Sequence, residues 1–168
     1  ITKYVDMPLQ HINDAMLKRM HRLGGRAHLT TLVERIRRKI PGVFFRTAFI
    51  VGFPGETDKA FEDLRQFLVD MEFDRVAVFL YSDEEGTPAI ELDRKVERAV
   101  MEERRNELLA VQDSIAAAKN RDYLGRTIEV LVDGPSQDAD RLLEARHEGL
   151  APEIDGVVFC ECAAAKPG

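Results

Sequence analysis

The feature that most constrains this chain is a β-rich run, Val43-Phe-Phe-Arg-Thr-Ala-Phe49, leading straight into Ile50-Val-Gly-Phe-Pro-Gly-Glu-Thr57. Its Val, Phe and Thr residues, bounded by Pro41-Gly42 and by Gly52, predict a buried strand of a parallel sheet over 43–51. Gly52, Pro54 and Gly55 then predict a tight turn, where backbone can approach a ligand because little side chain stands in the way. Asp58 is expected to cap a helix on which Phe61, Leu64, Phe67, Leu68 and Met71 keep a helical period. Ligands of α/β folds collect at the carboxyl ends of parallel strands, so this turn is where a site is expected. It offers no lysine and fits neither G-x-x-x-x-G-K-[ST] nor G-x-G-x-x-G, which excludes both familiar phosphate cradles. On shape alone the same residues also describe an ordinary strand-to-helix turn.

The flanking sequence repeats the alternation. Tyr4–Leu9 predicts a strand whose carboxyl end presents Gln10 and His11, and Asn13 or Asp14 can cap a helix with Met16, Leu17 and Met20 inward. Leu23-Gly24-Gly25 breaks it, and a second helix is predicted over 28–39 from the spacing of Leu29, Leu32, Val33, Ile36 and Ile40. Strand 43–51, helix 58–71 and strand 74–81 follow, then a loop from Ser82 to Pro88. Strands alternating with helices imply crossover units and a parallel sheet, hence an α/β fold that is part of a barrel. Three strands cannot close one. The others are expected before Ile1, in keeping with the missing initiator methionine.

A long helix is predicted over 96–120, with Val100, Leu108, Val111, Ile115 and Ala118 as its seam and Arg104, Arg105 and Glu107 wet. Beyond Gly125, alternation predicts a strand over 127–133, a turn at Gly134-Pro135 and a strand over 157–161, together a small β domain. The expected organisation is barrel portion 1–93, linker helix 94–122 and β domain 123–168.

Charge separates these parts. Residues 1–120 carry 19 Lys and Arg against 20 Asp and Glu, whereas residues 121–168 carry 5 against 10. Polyanions are bound by clustered Lys and Arg, so the acidic segment suits a basic protein better than RNA; a merely solvated surface is the plainer alternative. No apolar run is long enough to span a bilayer and no signal peptide is visible, so a soluble, cytoplasmic protein is expected. Cys160 and Cys162 are too few for a structural zinc site and read as incidental strand residues; His11 and His21 have no partners at metal spacing.

The run RTAFIVGFPGET resembles the fifth barrel strand of radical SAM enzymes, in particular methylthiotransferases of the RimO and MiaB type. The likeness extends through YVDMPLQH, FDRVAVFLYSDEEGT, the helix ending QDSIAAAKN, and APEIDGVV. It implies the C-terminal portion of a radical SAM barrel followed by a TRAM-like, OB-like domain, with S-adenosylmethionine and two [4Fe-4S] clusters as cofactors. The cluster ligands are expected upstream, since no CxxxCxxC occurs here. The resemblance further implies that Gln10 and Arg22 hold the ribose and methionine carboxylate of the cofactor. An amide suits hydroxyls and a guanidinium fork suits a carboxylate. Ile50, Gly52, Phe53 and Tyr81 are expected on the adenine side, with Glu56 either at the ligand or near the N-terminus of the next helix. No catalytic residue can be named, and no metal ligand is assigned.

Within the family, QHIN where MiaB-type enzymes show a QSGS-like sequence, Ala48 where they show Asp, and Ala151-Pro-Glu-Ile-Asp-Gly156 align the chain with the RimO type. That type adds a methylthio group to the β-carbon of an aspartate of ribosomal protein S12, a strongly basic substrate which an acidic TRAM domain would attract. The segment SQDADRLLEARHEGL is shorter than the family's usual strands. The alternatives are a tRNA methylthiotransferase and a non-catalytic fragment with an acidic docking surface.

Overall fold

The computed structural model describes residues 2–137 and 142–161; Cys162 lies outside the described residues. Strand and helix alternate through β1 (Tyr4–Asp6), α1 (Asp14–Arg19), α2 (Arg26–Lys39), β2 (Phe44–Val51), α3 (Asp58–Met71) and β3 (Arg75–Leu80). The three strands are parallel and lie in chain order, with Tyr4 opposite Phe44 and Ile50 opposite Phe79. Past β1 the chain rejoins the sheet. The Gln10 amide donates to the Ala48 carbonyl and the Ile50 amide to the Gln10 carbonyl, both at 2.8 Å.

Alternation along β2 sends Phe45, Phe49 and Val51 to the helical side, where they are fully buried with Val33, Leu64, Phe67, Leu68 and Phe73. The Phe49 ring lies edge-on to Phe67 and Phe73, with centroids 6.5 and 6.2 Å away. Arg46, Ala48 and Ile50 occupy the other face, in register with Arg75, Ala77 and Phe79. The α3 cap differs from expectation. Thr57, not Asp58, accepts from the Ala60 amide, while the Asp58 carboxylate turns to Arg104. Asn13 caps α1, and the Asp14 carboxylate accepts from the Arg26 amide, which starts α2 two residues earlier than its apolar period suggests.

Helix α4 (Arg98–Arg121) runs back along β3, from Met101 beside Gly52 to Lys119, which pairs with Asp74 at 2.7 Å. Its buried residues are Met101, Arg104, Leu108 and Gln112. Two of these four are polar, which overturns the expected wet position of Arg104. Ala118, expected on the seam, is exposed.

The small sheet is antiparallel in the order β4 (Leu131–Pro135), β5 (Leu143–Arg146), β6 (Val158–Cys160). Gly134-Pro135 does not turn the chain. It ends β4 after a bulge between Val132 and Gly134, on an edge strand where proline leaves no ladder donor unmade. Strand β5 was not expected at all. The sheet docks at the amino ends of β1 and β2. There Tyr4 Oη and the Ala151 amide donate to Asp155 Oδ2 at 2.7 and 2.9 Å, and Arg46 Nε stands 3.8 Å from Asp155 Oδ1. His147 lies between the Phe44 and Tyr123 rings, each 5.4 Å from its own. The Ala151–Gly156 signature is thus a docking loop. No helix among the described residues is long and apolar enough to cross a membrane.

Candidate functional site

The carboxyl ends of the parallel strands open onto a cleft of about 600 Å³, a size usual for small-molecule sites. Five of the seven residues expected at a cofactor line it: Gln10, Arg22, Ile50, Phe53 and Tyr81. The sheet explains the convergence, since Gln10, Ile50 and Tyr81 stand at or just past the ends of three neighbouring strands. Phe79, 56% exposed despite lying on β3, supplies a further apolar wall.

Backbone strain marks the polar side. Gln10 and His21 both sit at left-handed φ, 69° and 53°, which non-glycine residues seldom adopt and which clusters at ligand sites. The first ends the strand with the amide at the cleft; the second follows α1 and brings Arg22 round, its amide donating to the Leu17 carbonyl at 2.8 Å. Among the described residues neither the Gln10 amide group nor the Arg22 guanidinium makes a side-chain hydrogen bond or ion pair.

The apolar wall is braced. Phe53 meets Tyr81 edge-on at 5.1 Å, and Lys95 Nζ lies 5.2 Å from the Tyr81 ring centre. Tyr81 Oη donates to Asp83 at 2.8 Å; Lys95 pairs with the same carboxylate and reaches the Ala89 carbonyl at 3.1 Å. Desolvation and that donation raise the phenol pKa, while Lys95 holds Asp83 below the usual carboxylate range. The phenol is therefore a hydrogen-bond donor and not a base at neutral pH.

Gly52 and Glu56 stand behind the turn and do not line the cleft. At Gly52, φ is 78° and a Cβ would fall 2.3 Å from Met101 Cγ, so α4 approaches closely only because glycine is there. The Glu56 side chain has no solvent exposure. Its Oε2 accepts from the Gly52 amide and Arg104 Nη1, both at 2.7 Å, and its Oε1 meets His11 Nε2 at 3.1 Å. The expectation that Glu56 touches a ligand or caps α3 gives way to a buried anchor.

Two further residues had no sequence signal. Arg19 Nε donates to the Pro54 carbonyl at 2.9 Å and its Nη2 to Asp93, which fastens the turn to the segment after the 3₁₀ turn Pro88–Glu91. Arg104, 48 residues from its partner Glu56, is the other. A larger groove of about 910 Å³ lies between the small sheet and the strands' amino ends, with Tyr4, Phe44, Tyr123 and His147 among its walls. That end of a parallel barrel is associated with stability and not with chemistry. Among the described residues no group of three His, Cys, Asp or Glu could hold a metal ion.

A TRAM domain model matches residues 124–168. The whole chain aligns at 47% identity with 36% of the ribosomal protein uS12 methylthiotransferase RimO of Anaeromyxobacter sp. (strain K), and at 43% with 35% of that of Myxococcus xanthus (strain DK1622). The chain thus spans about a third of the length of these curated relatives and matches their C-terminal part. Among solved structures, Escherichia coli coproporphyrinogen III oxidase (HemN), a radical SAM enzyme, aligns with 70% of this chain and 26% of its own at 21% identity and a TM-score of 0.45.

Proposed function

We propose, for a chain that belongs to the RimO-type methylthiotransferase family as its C-terminal part, that it supplies the S-adenosylmethionine cleft and the substrate-docking domain of an enzyme that methylthiolates an aspartate β-carbon of ribosomal protein uS12. The observation that carries this reading is the convergence of Gln10, Arg22, Ile50, Phe53 and Tyr81 on one cleft at the strands' carboxyl ends. The donor set fits S-adenosylmethionine. An uncommitted amide suits ribose hydroxyls, an uncommitted guanidinium suits the methionine carboxylate, and the aliphatic and aromatic wall suits a purine face. In the proposed division, residues 1–93 form the barrel portion, 94–122 the linker helix and 123–168 the TRAM-like domain.

When bound, S-adenosylmethionine beside an iron–sulfur cluster supplies the one-electron chemistry that activates an unreactive C–H bond. This chain's residues bind and orient. Arg22 fixes one end of the cofactor by charge, Gln10 reads the sugar, and the wall of Ile50, Phe53 and Tyr81 keeps water from the base. Arg19 and Lys95 hold the turn and the loop after β3 so that the wall keeps its shape. Among the described residues no group of three metal-ligating side chains is found, and Cys160 stands on β6 of the small sheet.

The docking domain contributes charge. Glu129, Glu148, Glu153 and Glu161 are exposed there, whereas Asp155 and Asp133 are committed to Tyr4 and Arg46 and to Arg146. The exposed carboxylates favour a basic protein over RNA and make association salt-sensitive. The test is incubation of the full-length enzyme, clusters reconstituted, with uS12 and separately with tRNA, followed by mass spectrometry. A methylthio adduct on a uS12 aspartate is expected; an adduct confined to tRNA sinks the substrate assignment, and modification of neither sinks the enzyme reading.

A further inference from the structure

Five residues bind at the proposed cleft, but what sets their spacing lies outside it. We infer that Arg104 is a positioning residue for the cleft, acting through Glu56 on the backbone at both Gln10 and Phe53; this rests on the cofactor reading above.

The geometry is a buried charge with three donors. His11 Nδ1 accepts from the Ile12 and Asn13 amides at 2.8 and 3.0 Å, so the ring proton sits on Nε2 and points at Glu56 Oε1, 3.1 Å away. The other carboxylate oxygen takes the Gly52 amide and Arg104 Nη1. Arg104 Nη1 also reaches the Glu56 carbonyl at 3.3 Å, Nη2 donates to Asp58 at 2.6 Å, and the guanidinium lies 5.4 Å from the centre of the Phe61 ring. His11 and Glu56 side chains have no exposure and that of Arg104 has 7%.

Two of the three contacts are one residue removed from a cleft wall. His11 follows Gln10, whose left-handed backbone needs its surroundings to hold it, and Gly52 precedes Phe53. Glu56 therefore fixes the strand end that carries the amide against the turn that carries the aromatic wall. A carboxylate without solvent is costly to bury unless its donors remain in place. Arg104 provides the only full positive charge among those three donors, from a helix none of whose residues lines the cleft. Weakening it leaves Glu56 to turn or draw in water, and either response shifts His11 and Gly52 together. A ligand that contacts both walls senses the shift.

The experiment is calorimetric titration of the full-length enzyme, clusters reconstituted, with S-adenosylhomocysteine, which binds without turnover. Arg104→Lys keeps the charge and loses the fork; it is expected to raise Kd roughly tenfold at a temperature well below its melting point. Gln10→Ala is expected to raise Kd as well, and Arg104→Lys in that background to add only about twofold, because the two act on the same contact. Should Arg104→Lys not fold, His11→Asn carries the same cycle, since its side-chain oxygen still accepts from the Ile12 and Asn13 amides while the donor to Glu56 is gone. A variant that melts earlier with unchanged Kd assigns Arg104 a stability role alone and overturns the inference, as does strict additivity with both Gln10→Ala and Phe53→Ala. If Gln10→Ala, Arg22→Ala and Phe53→Ala all leave Kd unchanged, the cleft itself is misassigned and the inference falls with it.

Discussion

The two sheets of this molecule are stabilised by different means. The parallel sheet buries a continuous aromatic and aliphatic core, with Phe45, Phe49, Phe67 and Phe73 essentially without solvent exposure. From β4 onward only Ala145 and Leu150 among the described apolar residues are buried, while Leu131, Ile154, Val157 and Phe159 remain well exposed. A sheet with so little interior of its own is held by what it docks against, here Tyr4, Phe44 and Arg46. The first sheet can therefore carry left-handed backbone at Gln10, because its packing over-determines the chain there. The second is suited to presenting a surface.

The largest effect that tests this contrast is at Phe49. Phe49→Ala opens a cavity between Phe67 and Phe73 and is expected to destabilise by about 3–5 kcal/mol in denaturant titration. The same experiment on Phe159→Ala, at an exposed position of β6, is expected to change stability by less than about 0.5 kcal/mol. Comparable losses at both sites would show that the small sheet has a core of its own.

Next in size is the docking loop. Asp155→Ala leaves the Tyr4 hydroxyl and the Ala151 amide without their acceptor and is expected to cost about 2–3 kcal/mol of docking. Hydrogen exchange should then rise across residues 143–161 and stay unchanged in β2 and α3. Uniform acceleration through the parallel sheet would contradict the division of labour.

What the sequence made legible follows the same contrast. The spacing of Phe61, Leu64, Phe67 and Leu68 gives α3 the bounds Asp58–Met71, because its period reflects burial against one large core. Strands β2 and β3 fall within a residue of 43–51 and 74–81 for the same reason, whereas β1 ends at Asp6, three residues short of the expected Leu9. Strand β5 escaped because it is four residues long, Leu-Glu-Ala-Arg, and its deepest side chain is a mere alanine. Gly134-Pro135 looks like a turn when read locally, yet the bulge and the edge position accommodate it. At the cleft, Gln10, Arg22, Ile50, Phe53 and Tyr81 were legible through the motif that RTAFIVGFPGET anchors. Arg19 and Arg104 were not. Each is an arginine on an amphipathic helix, where periodicity assigns charge to water, and each has its partner 35 or more residues away.

The smallest expected effect concerns pH, and it tests whether docking and core are separable. Tyr4 and His147 both belong to the docking interface and shift in opposite directions. Burial, then donation to Asp155, then the charges of Asp155 and Asp6 raise the Tyr4 phenol well above its usual 10, against a smaller lowering by Arg46. Its folded state favours the protonated form, so its contribution is complete below about pH 10 and is lost as pH rises through the folded pKa. For His147, burial and then the charge of Arg75 lower the pKa from 6.5, and Glu148 opposes them weakly. The unfolded ring binds protons first, so its contribution is complete above pH 6.5 and is lost as pH falls from there through the folded pKa. Acidification from pH 7.5 to 5.5 should thus loosen residues 143–161 in hydrogen exchange while Phe49 and its neighbours stay protected. His147→Asn, which can still accept from the Gly149 amide, should remove that acid sensitivity. Loss of protection in both sheets over the same pH interval would mean that they unfold as one unit, and the small sheet could then no longer be treated as a separately docked surface.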